Sequence, residues 1–549
     1  MTGTTPSADN PQPGVETCRA PHGTEDPRPQ LPAEEPHPRS GTEDPCPQLP
    51  AEEPHSRSGT EDPRPQLPAE EPHPRSGTEE PHSRSGTEDP RPHRAADAPQ
   101  RPTEEPRASI PRQIVALALP ALGALVAQPL FTVIDSAMVG HLGTPELAGL
   151  GIASTVLNTV VGVFVFLAYS TTAIAGRALG AGRPDRAIRG GVEAMWLAAG
   201  LGLVAAAALS LGADPLLRGL GADALTLPHA SAYLRWSSPG LVGMFVAYAA
   251  TGTLRGLQDT RTPLIAATAG AAFNACANWA LMYPLGMGVA GSGLGTALTQ
   301  TLMAAFLVAV VVRGARRERV PLRPSTSGVL AAALDGAPLL VRTIALRAAL
   351  LATLATVTAI GTQALAAHQI VWTLWTFAAY VLDALAIAAQ ALVGFAEGRG
   401  DRGGMAPLLR TLARWGTAFG ALVGVVLGAA SPWLPALFTA DPAVRGPASW
   451  AIVVGALFQP LAGLVFLLDG ILIGAGRGRF LAAASLVNLA LYAPLLWLIA
   501  RSSSTGALAG SPTAALALVW AAYGAVYTGA RAVTNAWGTW FGRAALVRG

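Results

Sequence analysis

The sequence predicts an all-α polytopic membrane protein: twelve transmembrane helices in two six-helix bundles related by a parallel repeat, with a disordered N-terminal tail. Three observations carry this. Apolar runs long enough to span a bilayer follow one another from Ile110 to the C-terminus. Arginines alternate between the connections that join those runs. One stretch of the first half recurs 218 residues later in the second.

The tail, residues 1–107, is a different polymer from the rest. It holds most of the acidic residues and is net negative, whereas residues 108–549 are net positive. "GTEDPRPQLPAEEPHPRS" at 23–40 recurs at 41–58 and 59–76, with shorter copies from Gly77 and Gly86. The unit has no apolar face to stack, so it makes no solenoid. It cannot bury enough surface to offset backbone ordering and is expected to be disordered. Six of the nine His lie here. The favoured reading is a solvated linker rather than a metal-binding tract. The tail has no basic n-region and apolar h-region, so it does not read as a signal peptide.

Twelve spans are expected near 112–140, 146–176, 188–211, 229–255, 263–284, 291–313, 328–359, 363–395, 407–430, 447–474, 480–500 and 512–540. Each is long enough for the ~20 residues that a crossing needs. The connection after the second span carries Arg177, Arg183, Arg186 and Arg189, and the one after the sixth carries five more arginines. The opposite side has only Arg218, Arg235, Arg445 and Arg501. Even connections are therefore expected inside, with both termini cytoplasmic and the plasma membrane as location.

"GTPELAGLGI" at 143–152 aligns with "GTQALAAHQI" at 361–370, and fourteen of the forty pairs from 143 to 182 are identical. The register holds as far as "TGTLRG" (251–256) over "DGILIG" (469–474). An offset of six spans preserves orientation, so the halves, 108–320 and 321–549, are parallel repeats. Secondary transporters use that plan, with a midplane site between rocking halves.

The composition excludes several classes. The chain has no Lys, hence no P-loop of the GxxxxGK[ST] type, and no HExxH. Three Cys at these spacings make neither a disulfide framework nor a zinc site. No convergent acid–base or nucleophile motif favours an intramembrane enzyme. No cofactor, metal or nucleic-acid partner is expected.

From Ile114 to Gly140 the one ionisable side chain is Asp135. A charge at mid-depth costs at least ~2.5–3.5 kcal/mol and needs a compensating role. Desolvation favours the neutral carboxyl, so a proton or cation can occupy such a site by turns. Gln128, seven residues earlier, projects from the same face. Asn274 and Asn278 share a face of the fifth span, and Thr296 lies in the sixth. In the second half, Asp383 is a candidate to pair with Arg347 or Arg342. Asp469 is expected in the outer half of the tenth span. His368 reads as a helix-end histidine or a proton relay.

"LPALGALVAQPLFTVIDSAMVGHLGTPELAGLGI", "RALGAGRPDRA", "LAAHQIVWTLW", "LDALAIAAQALVG" and "LDGILIGAG" resemble the multidrug and toxic compound extrusion (MATE) transporters, DinF-like branch. The resemblance covers about 110–545. It implies efflux of drugs or organic metabolites driven by proton or sodium entry. It also places Gln128, Asp135, Asn274, Asn278 and Thr296 at the family's N-lobe ion site. Where many relatives carry a second aspartate this chain has Asn278, which points to a proton rather than sodium as coupling ion. Phe131, Met138, Trp372, Trp375 and Phe377 are candidates for a cavity that takes an amphipathic organic substrate by cation–π contact. The expected partners are that substrate and the lipid bilayer, around a monomer. The alternative function is a flippase for lipid-linked intermediates, which would want a strongly cationic cavity.

Overall fold

The computed structural model describes residues 109–505, 508, 510–541 and 546. The expected disorder of residues 1–107 lies outside them. The described residues form helices throughout and no strand.

The chain opens with α1 (Ile110–Gly140), then α2 (Thr144–Phe164) and α3 (Phe166–Gly180), which form one continuous crossing through Val165. There follow α4 (Pro184–Leu211), the short α5 (Ala213–Gly219), α6 (Leu227–Ser237), α7 (Gly240–Gly256), α8 (Arg261–Met282) and α9 (Gly288–Arg317). The second half has α10 (Thr326–Ile360), α11 (Thr362–Gly398), α12 (Arg402–Ala430), a 3₁₀ turn at Leu434–Leu437, α13 (Pro442–Leu457) and α14 (Gln459–Gly474). It ends with α15 (Gly478–Thr505), α16 (Pro512–Ala521), a π-helical stretch (Ala522–Thr528), α17 (Gly529–Ala536) and a second π stretch (Trp537–Phe541).

Among the described residues ten stretches are long and apolar enough to cross a membrane, and α13–α14, bent by 53°, makes an eleventh. The fourth expected span is two helices, α6 and α7, with Ser238 and Pro239 between them. The spans carry Leu119, Leu203 and Leu351 on exposed surfaces. A soluble helix would bury such side chains, but lipid accepts them.

The duplication is visible in the backbone. Gly182 and its counterpart Gly400 adopt φ of 70° and 64° after the second and eighth crossings, a conformation open to glycine at little cost. More telling is the contact between α3 and α11. A Cβ on Gly180 would strike the carbonyl of Phe395, and a Cβ on Gly398 would strike the carbonyl of Arg177. Arg177 and Phe395 are themselves 218 residues apart. Each helix thus meets the other through the same pair of positions, as a two-fold axis between them requires. Small residues there let the backbones close without an intervening side chain.

The connection between the halves is fastened to α4. The Glu193 carboxylate accepts from the Ser325 amide at 3.2 and 3.1 Å and from its hydroxyl at 2.8 Å. Arg189, ion-paired with Glu193, donates to the carbonyls of Pro321 at 2.7 Å and Arg323 at 3.2 Å. The Trp196 indole donates to the Leu322 carbonyl at 3.0 Å.

Candidate transport site

Two polar clusters stand inside the apolar packing, one in each half. In the first, Asp135 is buried on α1, six residues after Pro129. Asn278 of α8 donates to its Oδ1 at 2.5 Å and Ser292 of α9 donates to the same oxygen at 2.7 Å. The Tyr233 hydroxyl of α6 reaches both Asp135 and Thr296. Behind them Asn278 donates to Asn274 at 3.3 Å, and Asn274 to Thr299 at 3.4 Å. Thr299 is anchored on the Gly295 carbonyl at 2.7 Å. Gly295 has no side chain because Asn278 occupies the space a Cβ would need.

Every partner of Asp135 is neutral, so one carboxylate ties α1 to α6, α8 and α9. A pocket of about 60 Å³ opens beside it, lined by Phe131, Asn158, Asn274 and Thr296 among others. The structure therefore brings Asp135, Asn274, Asn278 and Thr296 together. The Gln128 side chain lies outside the described residues. Met138 lines neither this pocket nor the larger one below. No group of three or more His, Cys, Asp or Glu among the described residues could hold a metal.

In the second half the expected pairing of Asp383 with Arg342 or Arg347 is not made. Arg342 on α10 turns to Asp469 on α14, which also receives Arg531 at 2.6 Å and the Asn535 amide at 2.6 Å, both from α17. Two guanidiniums and an amide saturate that carboxylate. Asp383 on α11 instead accepts from the Tyr169 hydroxyl of α3, 3.4 Å from each oxygen. Asp469 lies close to the end of α14 that leads into Arg477, which places it at the Arg-rich end of the span rather than the opposite one. His368 is buried against Trp372 and Trp520, with Nδ1 unpartnered.

A cavity of about 270 Å³ sits among these groups. Gly162 and Tyr169 from the first half line it, with Arg347, Trp372, Trp375 and Gln390 from the second. Trp372 and Trp375 both stand in its wall. Phe377 is 53% exposed and faces away. The π stretch helps build the wall. Thr528 bonds back to the Tyr523 carbonyl five residues earlier at 2.9 Å. That wide turn sets Tyr523, Tyr527 and Arg531 along the cavity, and π turns collect at functional sites.

Sequence reasoning missed Tyr169, Tyr233, Ser292, Gln390, Arg531 and Asn535. Arg531 had the same signal as Asp135, an ionisable group within an apolar run. Tyr233 and Ser292 had none, since nothing local marks a hydroxyl as facing a carboxylate on another helix.

A duplicated all-helical membrane protein, with a buried carboxylate in one half and a charged cavity between the two, has the plan that secondary transporters use. Comparison with known proteins narrows this. The MatE family model matches twice, at residues 120–280 and 338–498, and the two matches start 218 residues apart. The chain is 32% identical over 447 residues to Protein DETOXIFICATION 44, chloroplastic, of Arabidopsis thaliana, covering 77% of this chain and 81% of that one. It is 28% identical over 372 residues to DNA damage-inducible protein F of Escherichia coli (strain K12), covering 66% and 80%. A solved structure described as the outward-facing conformation of a multidrug resistance MATE family transporter of the MOP superfamily superposes with a TM-score of 0.68. It has 20% identity and covers 79% of this chain and 96% of that one. The chain belongs to the MatE family of multi-pass membrane transporters.

Proposed function

We propose that this chain is a proton-coupled efflux antiporter of the plasma membrane, with both termini cytoplasmic. It exports amphipathic drugs or organic metabolites, and residues 108–320 and 321–549 are the two halves that rock about the central cavity. The observation that carries the reading is Asp135, a buried carboxylate held by neutral donors. Three donors favour its ionised form and desolvation favours its protonated form, and a proton carrier needs both within reach. Protonation turns one acceptor oxygen into a donor. The hydroxyl that faces the protonated oxygen must turn to accept, and the charge-assisted bonds that hold α1 to α6, α8 and α9 weaken. That links proton entry to movement. Sodium would benefit from a second negative oxygen donor, and Asn278 supplies a neutral one.

The test is efflux of tetraphenylphosphonium and naphthalene-1-sulfonate from proteoliposomes with pH and sodium gradients imposed separately. Export of either compound that follows the pH gradient without sodium is expected. Export under a sodium gradient alone, with no response to pH, would overturn the proton assignment.

A further inference from the structure

The larger cavity carries a surplus positive charge on a seat made for it. Five charged side chains line it: Arg342, Arg347, Arg531, Asp383 and Asp469. Four are already engaged. Arg342 and Arg531 both go to Asp469, and Asp383 accepts from Tyr169. Arg347 makes no ion pair among the described residues. Its guanidinium lies over Gly162 of the opposite half, in the space a Cβ there would fill. Arg255, buried near Asp383, adds a further cation behind the wall.

A second observation is independent of charge. Gln390 lines the same cavity at 1% exposure, and neither its amide nitrogen nor its oxygen has a partner. A buried amide left unpaired costs about 1–3 kcal/mol, so this one is suited to meet a polar group placed in the cavity. Trp372, Trp375 and Tyr523 supply flat apolar surface around it.

We propose that the cavity is the binding site for an amphipathic organic anion, an aromatic or alicyclic body bearing a sulfonate, carboxylate or phosphate. The anion sits on Arg347, the Gln390 amide donates to it or to its polar substituents, and the body packs on the tryptophans. This rests on the efflux reading and gives its substrate a charge, opposite to the organic cation that the aromatic residues alone suggest. Three arginines against two aspartates leave the lining one positive charge in surplus, which repels a cation and attracts an anion. An anion leaving in exchange for an entering proton moves two charges the same way, so an inside-negative potential accelerates the cycle.

The experiment is equilibrium dialysis of the purified full-length protein in detergent. Radiolabelled naphthalene-1-sulfonate is compared with 1-naphthyltrimethylammonium, a cation of similar shape. Saturable binding of the sulfonate, tighter than that of the ammonium ion, is expected. Arg347→Gln should weaken sulfonate binding at least about tenfold, the worth of one charge-assisted hydrogen bond, and Arg347→Lys should retain most of it. Tighter binding of the ammonium ion overturns the proposal. So does unchanged sulfonate affinity in an Arg347→Gln protein that elutes and melts as wild type. Should Arg347→Gln fail to fold, photolabelling of wild type with 5-azidonaphthalene-1-sulfonate decides. Label on residues that line the cavity, within 162–169, 342–390, 462–473 or 523–531, supports the site, and label confined elsewhere removes it. Binding needs no gradient. Sulfonate binding without pH-driven export would therefore sink the antiporter reading and spare this one. Proton-driven export with preference for the cation would do the reverse.

Discussion

The two halves share a backbone and divide the chemistry. Adding 218 to Asp135 and Asn274 gives Thr353 and Tyr492, which are hydrogen-bonded to each other at 2.9 Å. In the first half Asn278 stands between the corresponding residues, donating to both Asp135 and Asn274, so the second half replaces a bridged carboxylate by a direct bond between two hydroxyls. Asn278 becomes Leu496, which is 2% exposed. In the other direction Asp383 and Asp469 fall on Val165 and Thr251, and Arg342 and Arg347 on Ala124 and Pro129. What the halves kept is geometric: the glycine turns, the close approach of α3 and α11, and the order of spans. What they gave up is duplicated charge. One titratable group in one half is enough for a coupling site. A charged cavity needs neutralising partners only on the side where its charges stand.

The strongest way to break this comparison is Asp135→Asn. It keeps shape and removes the titratable group, so pH-driven export from proteoliposomes should fall to background at normal membrane levels. Retained export would move coupling to the second half, with Asp383 next in line. Asp469→Asn should act on stability instead. It leaves Arg342 and Arg531 buried without a full counter-charge, at a cost of about 3–5 kcal/mol, and a lowered melting temperature in detergent reads this out. The symmetric contact offers a sharper test. Gly180→Ala and Gly398→Ala each push a methyl against a carbonyl of the opposite helix, for about 1–3 kcal/mol of overpacking. Equal shifts in melting temperature are expected from the two, and a large inequality would show that the halves do not meet symmetrically. Thr353→Val should do least, about 1 kcal/mol for the lost bond to Tyr492, with pH-driven export unchanged because no coupling proton resides there.

Much of this architecture was legible before any coordinates. Run length set most of the spans, and a fixed offset set the symmetry. The Asp135 cluster was legible because its parts are locally unusual, a lone carboxylate in one apolar run and two asparagines one turn apart in another. The Asp469 cluster was not, because its members come from α10, α14 and α17. Choosing between Asp383 and Asp469 as partner for Arg342 depends on how those helices rotate against one another, and no local pattern encodes that. The break between α6 and α7 was missed for a different reason. Arg235, two serines and Pro239 do mark it locally, but a span drawn on length alone passes over them.

The contact between Gly180 and Phe395, answered by Gly398 and Arg177, has a consequence for how such a chain could arise. When position i of one body meets position j of another and j meets i, the surface is complementary to itself, as in the commonest class of symmetric protein dimers. No second, different sequence is needed to complete it. A half-length chain bearing this turn of helix would pair with its own copy in the same membrane orientation, since the offset of six spans preserves direction. Joining two such genes would add only a connecting segment to an assembly that already existed, after which each copy was free to lose the charges its partner retained.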